Sequence, residues 1–425
     1  MSAKAAPTPL DEQLRVLTAG VAQVLPADGL AGRLAAARSE GRPLRVKLGI
    51  DPSSAQLTFG HAVVLRKLAQ FQRLGHTVVL IIGDFTGLVG DPSGRSQTRR
   101  LQTEAEVAEH ARTYLEQVGK VLDVDAAEVR RNAEWLAPMT FAEVARLAAN
   151  VTVAQLLERD DFTTRHAAGQ PISLVEFLYP LMQGQDSVAV AADVEVGGTD
   201  QTFNLLVGRA LQRAAGGPGQ AVLTMPLLRG TDGVQKMSKS LSNGIYLDEP
   251  APDQFGKLMR IPDHLVPEYL RLCADLDPVT VDALVAEAGQ GGPRAAAVKR
   301  RLAREVVALY HGAEAAEAAE AAFDAGVRQR GVGADVGAGA GTEAVPEREI
   351  PASAVSDTGQ VWVVALLAEA GLVASRNEAR RLVGQGAVRL DGHPVGSFEQ
   401  TWPLPDLDGR LLTVGRRSPV RLRAR

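Results

Sequence analysis

Cysteine is nearly missing from this chain: Cys273 is the only one in 425 residues. A single thiol excludes an internal disulfide and any zinc site built on cysteines. It suits a reducing compartment, so the cytoplasm is expected. Long apolar runs are missing as well. None reaches the length of a membrane span. The first residues show no basic start followed by an apolar core, so neither a membrane nor an export signal is expected. No sign of charge dominates. Lys and Arg number 46 against 50 Asp and Glu, a net charge of −4. That excludes a uniformly basic nucleic-acid binder, and any RNA contact must come from local patches. There is no internal repeat. The length allows two or three domains, and the composition is that of an ordinary globular protein. Lysine is the last scarcity, because arginine fills nearly all the basic positions.

That scarcity makes the run Lys236-Met237-Ser238-Lys239-Ser240 stand out. It sits in a loop rich in Gly and Asp, between Thr231-Asp232-Gly233 and Ser242-Asn243-Gly244. Lysine is a compact, flexible point charge where arginine is a planar fork. Two lysines and two hydroxyls on a mobile loop suit a grip on polyphosphate during reaction. A solvated basic turn is the plainer reading of the five residues alone.

Upstream, residues 44–50 read as a short apolar strand ending at Asp51-Pro52, and residues 53–59 as a loop. Gly60-His61 then opens a helix over 62–74, with Gly75 as its stop. Residues 77–82 form a second, continuous apolar strand. Such runs fit a parallel sheet covered on both faces, and the order strand, loop, helix, strand is one right-handed crossover. Ligands of such sheets bind beyond the carboxyl ends of the strands. Gly60 would let a ligand approach the backbone closely, and the helix start offers free N–H groups to phosphate.

These residues reach a known family. The segments Asp51-Pro52-Ser53 and Thr58-Phe59-Gly60-His61, with the Lys236–Ser240 run, resemble the two signatures of class I aminoacyl-tRNA synthetases. Residues 83–95, Tyr179-Pro180-Leu181-Met182-Gln183-Gly184-Gln185-Asp186 and Gly197-Gly198-Thr199-Asp200-Gln201 narrow the resemblance to the bacterial tyrosyl-tRNA synthetases. It runs from about residue 40 to the C-terminus. It implies an α/β fold: a Rossmann-like parallel-sheet catalytic domain with a helical insertion, then a helical domain and a small C-terminal α+β RNA-binding domain. The expected divisions are an N-terminal helical segment (1–40) and a catalytic domain (41–247) whose insertion at about 130–190 makes a dimer contact. A helical tRNA-binding domain (248–324), a flexible Gly/Ala-rich linker (325–349) and an RNA-binding domain first known from ribosomal protein S-four (350–425) follow. Within this frame the sheet is expected to resume near 188–190 and again near 221–225. In the last domain Ser375 is placed to cap a helix over 376–383, with Glu378 completing a capping box. Strand 387–390 and a turn at Asp391-Gly392 follow. The end is basic, through Arg416, Arg417, Arg421, Arg423 and Arg425.

The resemblance implies tyrosine activation by ATP and transfer of tyrosine to tRNA(Tyr). Tyrosine's carboxylate is already ionised at neutral pH and needs no general base. The site must align anions and stabilise the charge on the leaving polyphosphate. By resemblance, His61 and Gly60 hold ATP phosphates and adenosine, with Gly49 and Asp51 beside them. Lys236 and Lys239 close over the polyphosphate, and Ser53 and Thr58 are further candidates there. Asp200 is expected on the ribose, with Gly197 and Gly198 under the nucleotide. Asp91, Tyr179 and Gln183 match the holders of the tyrosine ammonium. Asp186 matches the acceptor of the phenol O–H, with Gln201 nearby and Lys47 also at the phenol end. Tyr179, Gln183 and Asp186 lie at i, i+4 and i+7, on one helix face. Arg95 and Arg99, and in the last domain Arg376, Arg380 and Arg381, are the expected tRNA contacts. No metal-ligand cluster is visible, and Mg2+ is expected only with ATP. The expected partners are tRNA(Tyr), L-tyrosine, ATP and a second copy of the chain.

Two departures from the family pattern bear on this. Thr58 stands where the first motif usually begins with histidine, and Lys47 stands where many bacterial members have a tyrosine that bonds the phenol. The missing histidine leaves open an inactive relative that only binds structured RNA. The lysines kept at 236 and 239 oppose it.

Overall fold

The fold is taken from a computed structural model, which describes residues 8–52, 55–92, 103–239, 241–332, 346–356, 358–373, 375–414 and 420–424. The chain divides into two compact units, residues 1–324 and 325–425.

The first unit is built on a six-stranded sheet. Its strands are β1 (Gln23–Leu25), β2 (Arg45–Ile50), β3 (Thr77–Ile82), β4 (Glu128–Arg131), β5 (Val194–Gly198) and β6 (Ala221–Met225). Their spatial order is β1-β6-β5-β2-β3-β4. β2 to β6 run parallel. β1 lies antiparallel on the edge, with Gln23 opposite Thr224. The strands are apolar runs because helices cover both faces. Val46, Val78, Leu80, Val194 and Leu223 are buried in one core with Leu65, Leu68 and Phe71 from the Phe59–Arg73 helix. Each such side chain contributes about 1.5–3 kcal/mol by leaving water.

From β2 the chain builds outward through β3 and β4. It then returns to the other side of β2 with β5 and β6. That reversal puts a crevice above the carboxyl ends of β2 and β5, where ligands of such sheets bind.

Several expectations change here. The N-terminal segment is not helices alone, since β1 joins the main sheet between helices Leu10–Thr18 and Gly29–Ser39. The strand expected near 188–190 is the end of a helix, Leu174–Ala189. Ala191 turns the chain at a φ of 47°, and the strand begins at Val194. The insertion also contributes part of β4, and its helices are short until the 16-residue Leu174–Ala189 helix. Helices carry the chain from Ala251 to Val332, so 325–332 continue a helix rather than a linker, and Glu347–Glu349 is a strand. Residues 333–345 of the expected linker lie outside the described residues, as do Arg416, Arg417 and Arg425.

The second unit is α+β. A five-stranded sheet orders β7 (Glu347–Glu349), β9 (Val388–Leu390), β10 (His393–Pro394), β12 (Leu411–Val414) and β13 (Val420–Arg423) as β10-β9-β12-β13-β7. β8 (Gln360–Trp362) and β11 (Thr401–Pro403) form a separate ribbon. Helices Val363–Glu369 and Arg376–Gly384 pack on a core of its own, with Leu366, Leu367, Val383, Val388 and Leu422. Ser375 caps the second helix as expected, its Oγ accepting the Glu378 N–H at 3.2 Å. Asp391 and Gly392 make the expected hairpin turn at φ values of 47° and 81°.

Candidate active site

The crevice is a cleft of about 1240 Å³, room for a nucleotide and an amino acid side by side. Fifteen of the residues singled out from the sequence line it: Gly49, Asp51, Thr58, Gly60, His61, Asp91, Tyr179, Gln183, Asp186, Gly197, Gly198, Asp200, Gln201, Lys236 and Lys239. They come from the ends of β2 and β5, the start of the Phe59–Arg73 helix, the turn after the short Thr86–Val89 helix, one face of the Leu174–Ala189 helix and the loop after β6. Ser53, Arg95 and Arg99 lie outside the described residues. Arg376, Arg380 and Arg381 belong to the second unit. There Arg376 pairs with Glu369 at 2.8 Å, Arg380 lies over the Trp362 ring, and Arg381 reaches Gln385.

One side of the cleft is organised by carboxylates. Thr86 Oγ1 donates to Asp51 Oδ1 at 2.7 Å, and the Tyr179 hydroxyl donates to Asp51 Oδ2 at 2.8 Å. A β-carbon on Gly83 would sit 2.0 Å from Asp51 Oδ1, so only glycine leaves room for this arrangement. A hydroxyl that donates to Asp51 keeps its lone pairs for an incoming ammonium. Burial, then the charges of Asp51 and Asp91, hold the Tyr179 phenol protonated far above its ordinary range. Asp91 Oδ2 accepts from Gln201 Nε2 at 2.7 Å, and Gln201 Oε1 accepts from Asn204 Nδ2 at 3.1 Å.

At the deep end Asp186 is 3% exposed. Its Oδ1 accepts from the Trp135 indole N–H at 2.9 Å and its Oδ2 from Asn132 Nδ2 at 3.3 Å. Burial pushes this carboxyl up to about 7, against the pull of Lys47 and the two donors. Lys47 itself does not line the cleft. Its ammonium is fully buried and meets Gln183 O at 2.9 Å, Ser187 Oγ at 2.8 Å and Glu195 Oε1 at 2.7 Å. With three protons on three acceptors it has none left for a substrate phenol.

On the nucleotide side, Thr58 is the N-cap of the Phe59–Arg73 helix, and His61 is its third residue. The Thr58 N–H donates to His61 Nδ1 at 3.1 Å, with Thr58 Oγ1 2.9 Å from the same nitrogen. A nitrogen that accepts an N–H carries no proton, so the ring proton is on Nε2. The crowded cleft holds His61 below its ordinary titration range although one edge of the ring is open; Asp200 opposes the fall and Lys236 adds to it. Neutral His61 therefore presents an N–H donor. Lys236 Nζ lies 3.1 Å from Asp200 Oδ2. A β-carbon on Gly198 would stand 2.7 Å from Asp200 Oδ1, so a side chain there would have to displace the Asp200 carboxylate. The lysine loop is ordered from within: Asp232 accepts the N–H groups of Val234 and Gln235, and Asn243 accepts that of Ser238 at 2.8 Å. Met237 is anchored in the core.

Sequence reasoning missed Asn132, Trp135, Thr86, Ser187 and Glu195. One signal was available: a carboxylate inside the apolar stretch Val194-Glu195-Val196 demands a buried partner.

Among the described residues no helix is long and apolar enough to cross a membrane, and no group of three His, Cys, Asp or Glu could hold a metal ion.

Comparison with known proteins agrees with this geometry. Residues 39–327 match the family described as tRNA synthetases class I (W and Y), and residues 361–397 match the S4 domain. The tyrosine–tRNA ligase of Moorella thermoacetica is 47% identical over 410 residues, covering 96% of this chain and 95% of that one. That of Salinibacter ruber is 47% identical over 415 residues, covering 98% and 97%. The fold is shared with a C-terminally truncated mitochondrial tyrosyl-tRNA synthetase of Aspergillus nidulans, with a TM-score of 0.61 at 23% identity over 74% of this chain and 93% of that one. It is shared too with the Archaeoglobus fulgidus enzyme solved with L-tyrosine, with a TM-score of 0.60 at 20% identity over 73% and 100%. The chain belongs to the class I tRNA synthetases of the tryptophan and tyrosine type, and among them to the tyrosine–tRNA ligases.

Proposed function

We propose that the cleft activates L-tyrosine with ATP, releasing pyrophosphate, and passes the tyrosyl group to the 3′-terminal adenosine of tRNA(Tyr). The observation that carries this reading is the meeting, in one cleft, of a helix face bearing Tyr179, Gln183 and Asp186 with Asp200, His61 and the two loop lysines.

Tyrosine enters with its phenol toward Asp186 and its ammonium between Asp91, Tyr179 and Gln183. A phenol O–H has a buried acceptor waiting in Asp186. Phenylalanine would leave that acceptor without its donor, which costs about 1–3 kcal/mol or more for a charged group. Tyrosyl-tRNA synthetases are themselves the established example of this discrimination. ATP lies along Gly197 and Gly198 with its ribose on Asp200, and the Nε2–H of His61 is available to a phosphate oxygen.

In the first step a tyrosine carboxylate oxygen attacks the α-phosphorus, and the bond from that phosphorus to the bridging oxygen breaks. Lys236 and Lys239 take up the charge that grows on the leaving pyrophosphate. In the second step a ribose hydroxyl of the tRNA attacks the tyrosyl carbonyl and AMP departs. Mg2+ would come with the polyphosphate rather than on a protein cluster. Arg376, Arg380 and Arg381 of the second unit, with Arg95 and Arg99, are the tRNA contacts of this reading, and the cytoplasm is its compartment.

A second copy of the chain completes the assembly. Phe141, Val153 and Leu174, all in the insertion, are 88%, 60% and 77% exposed, and the Phe141–Ala148 helix buries none of its residues. Large apolar side chains gathered in one segment support a protein–protein contact there.

Tyrosine-dependent ATP–pyrophosphate exchange tests the activity, with phenylalanine and tryptophan run in parallel. Exchange with tyrosine alone is expected. Exchange driven by tryptophan would overturn the amino-acid assignment. Folded protein that binds RNA but exchanges with none of the three would turn the reading to an inactive RNA-binding relative.

A further inference from the structure

The ion pair beneath the tyrosine pocket has no evident need to be ionic. Lys47 and Glu195 are register partners on the adjacent strands β2 and β5, are 0% and 1% exposed, and meet at 2.7 Å. Every polar atom of the pair is used. Lys47 donates to Gln183 O, Ser187 Oγ and Glu195 Oε1. Glu195 Oε2 accepts from Ser187 Oγ at 2.9 Å and from Gln220 Nε2, and Oε1 lies 3.4 Å from Gln183 Nε2. Such a pair recovers little more than its own desolvation cost, and an apolar pair of the same volume is often as stable or more so. Stability alone does not account for it.

Its location does. The ammonium binds the helix at residues 183 and 187, on both sides of Asp186. We propose that the Lys47–Glu195 pair is a positioning device for the tyrosine pocket: it holds the helical turn from Gln183 to Ser187 against the sheet, and its net field tunes Asp186 as acceptor of the substrate phenol. Lys47 thus acts through Asp186, not by a second direct contact to the phenol. This rests on the tyrosine reading given above.

The groups that bear on Asp186 are few. Lys47 acts from β2 and favours its charge; Glu195 acts from β5 and opposes it more weakly. Tyr179, on the same helix, is a neutral phenol. The segment after β4 brings the uncharged donors Asn132 and Trp135. Arg130 lies over the Trp135 ring and is already paired with Glu128 and Glu134.

The test is tyrosine affinity measured at pH values on both sides of 7, where Asp186 titrates, in the wild type and three variants. In the wild type, affinity falls as the pH drops through that midpoint, because the protonated acid no longer accepts as a carboxylate. Lys47→Met moves the midpoint up by about one pH unit and Glu195→Gln moves it down. The double variant Lys47→Met/Glu195→Gln buries no unpaired charge, which protects the fold, and moves it up by less than Lys47→Met. A purely structural pair would weaken binding equally at every pH. One midpoint shared by the wild type and the folded variants would overturn the proposal while leaving the tyrosine reading intact. Failure of the wild type to bind tyrosine at any pH would overturn that reading, and this proposal with it.

Discussion

Lys236 Nζ stands 3.1 Å from Asp200 Oδ2, so a lysine assigned to the polyphosphate is held by the carboxylate assigned to the ribose. The pair is partly open to solvent, with side-chain exposures of 42% and 26%. Such contacts are worth about 0–1 kcal/mol, so ribose hydroxyls can take the carboxylate and release the lysine at little cost.

Asp200→Ala is therefore expected to raise the KM for ATP by about tenfold or more, the value of a charge-assisted hydrogen bond of roughly 1.5–3 kcal/mol. Tyrosine affinity should stay within about twofold, an effect of under 0.5 kcal/mol. Pyrophosphate exchange with each substrate varied in turn measures both. A matching loss in tyrosine affinity would contradict the assignment of Asp200 to the nucleotide.

Lys239 lines the cleft and has no ion-pair partner among the described residues. Its charge is free for the departing pyrophosphate. Lys239→Ala should slow adenylate formation by about 100-fold or more with little change in tyrosine binding, because the interaction is made mainly in the transition state. Single-turnover kinetics and equilibrium binding separate the two. Equal losses would place Lys239 on the ground state.

Asp186 has a stability consequence whose sign can be worked out. Its folded value lies near 7 against an ordinary 3.8. Between those values the native state holds a proton that the unfolded chain has lost, so the group's contribution to stability falls as pH rises through 7. Above 7 the buried charge costs up to a few kcal/mol. Asp186→Asn should raise the Tm at pH 8, lose that advantage near pH 4, and weaken tyrosine binding. Calorimetry at the two pH values checks this; an equal shift at both would show that the carboxyl is not the cause.

Phe141→Glu with Leu174→Glu should convert a dimer into monomer in sedimentation at micromolar concentration, since each places a charge on an apolar contact. An unchanged sedimentation coefficient would overturn the proposed contact through the insertion.

Each unit has a core of its own. Removing residues 346–425 should leave tyrosine-dependent exchange within about twofold, a change below 0.5 kcal/mol, and depress tRNA charging strongly. Loss of exchange would make the second unit part of the catalytic fold.

The candidate site was largely legible because most of the residues that line the cleft sit on local motifs. The loop after β2, the Gly197–Gln201 turn and the Lys236–Lys239 loop are each contiguous, and the Tyr179, Gln183, Asp186 face follows from helical spacing. What stayed hidden depends on distant register. Nothing near Lys47 announces that Glu195, on a strand far along the chain, will neutralise it, or that Asn132 and Trp135 will come from beyond β4 to hold Asp186. The apolar run 188–190 looks like a strand because periodicity cannot tell a buried helix end from one. The scarcity of lysine pointed two ways. Lys236 and Lys239 face the cleft, yet Lys47, Lys67, Lys120, Lys257 and Lys299 each give a proton to a backbone carbonyl. A compact ammonium serves that task too.

Thr58, the residue that departs from the family motif, begins a helix with its hydroxyl and fixes a tautomer with its backbone N–H. Helix nucleation and proton placement thus meet at one residue but rest on different atoms of it. A substitution at position 58 can therefore remove the cap, worth about 1 kcal/mol, while any residue other than proline keeps the backbone N–H that decides which edge of His61 can donate.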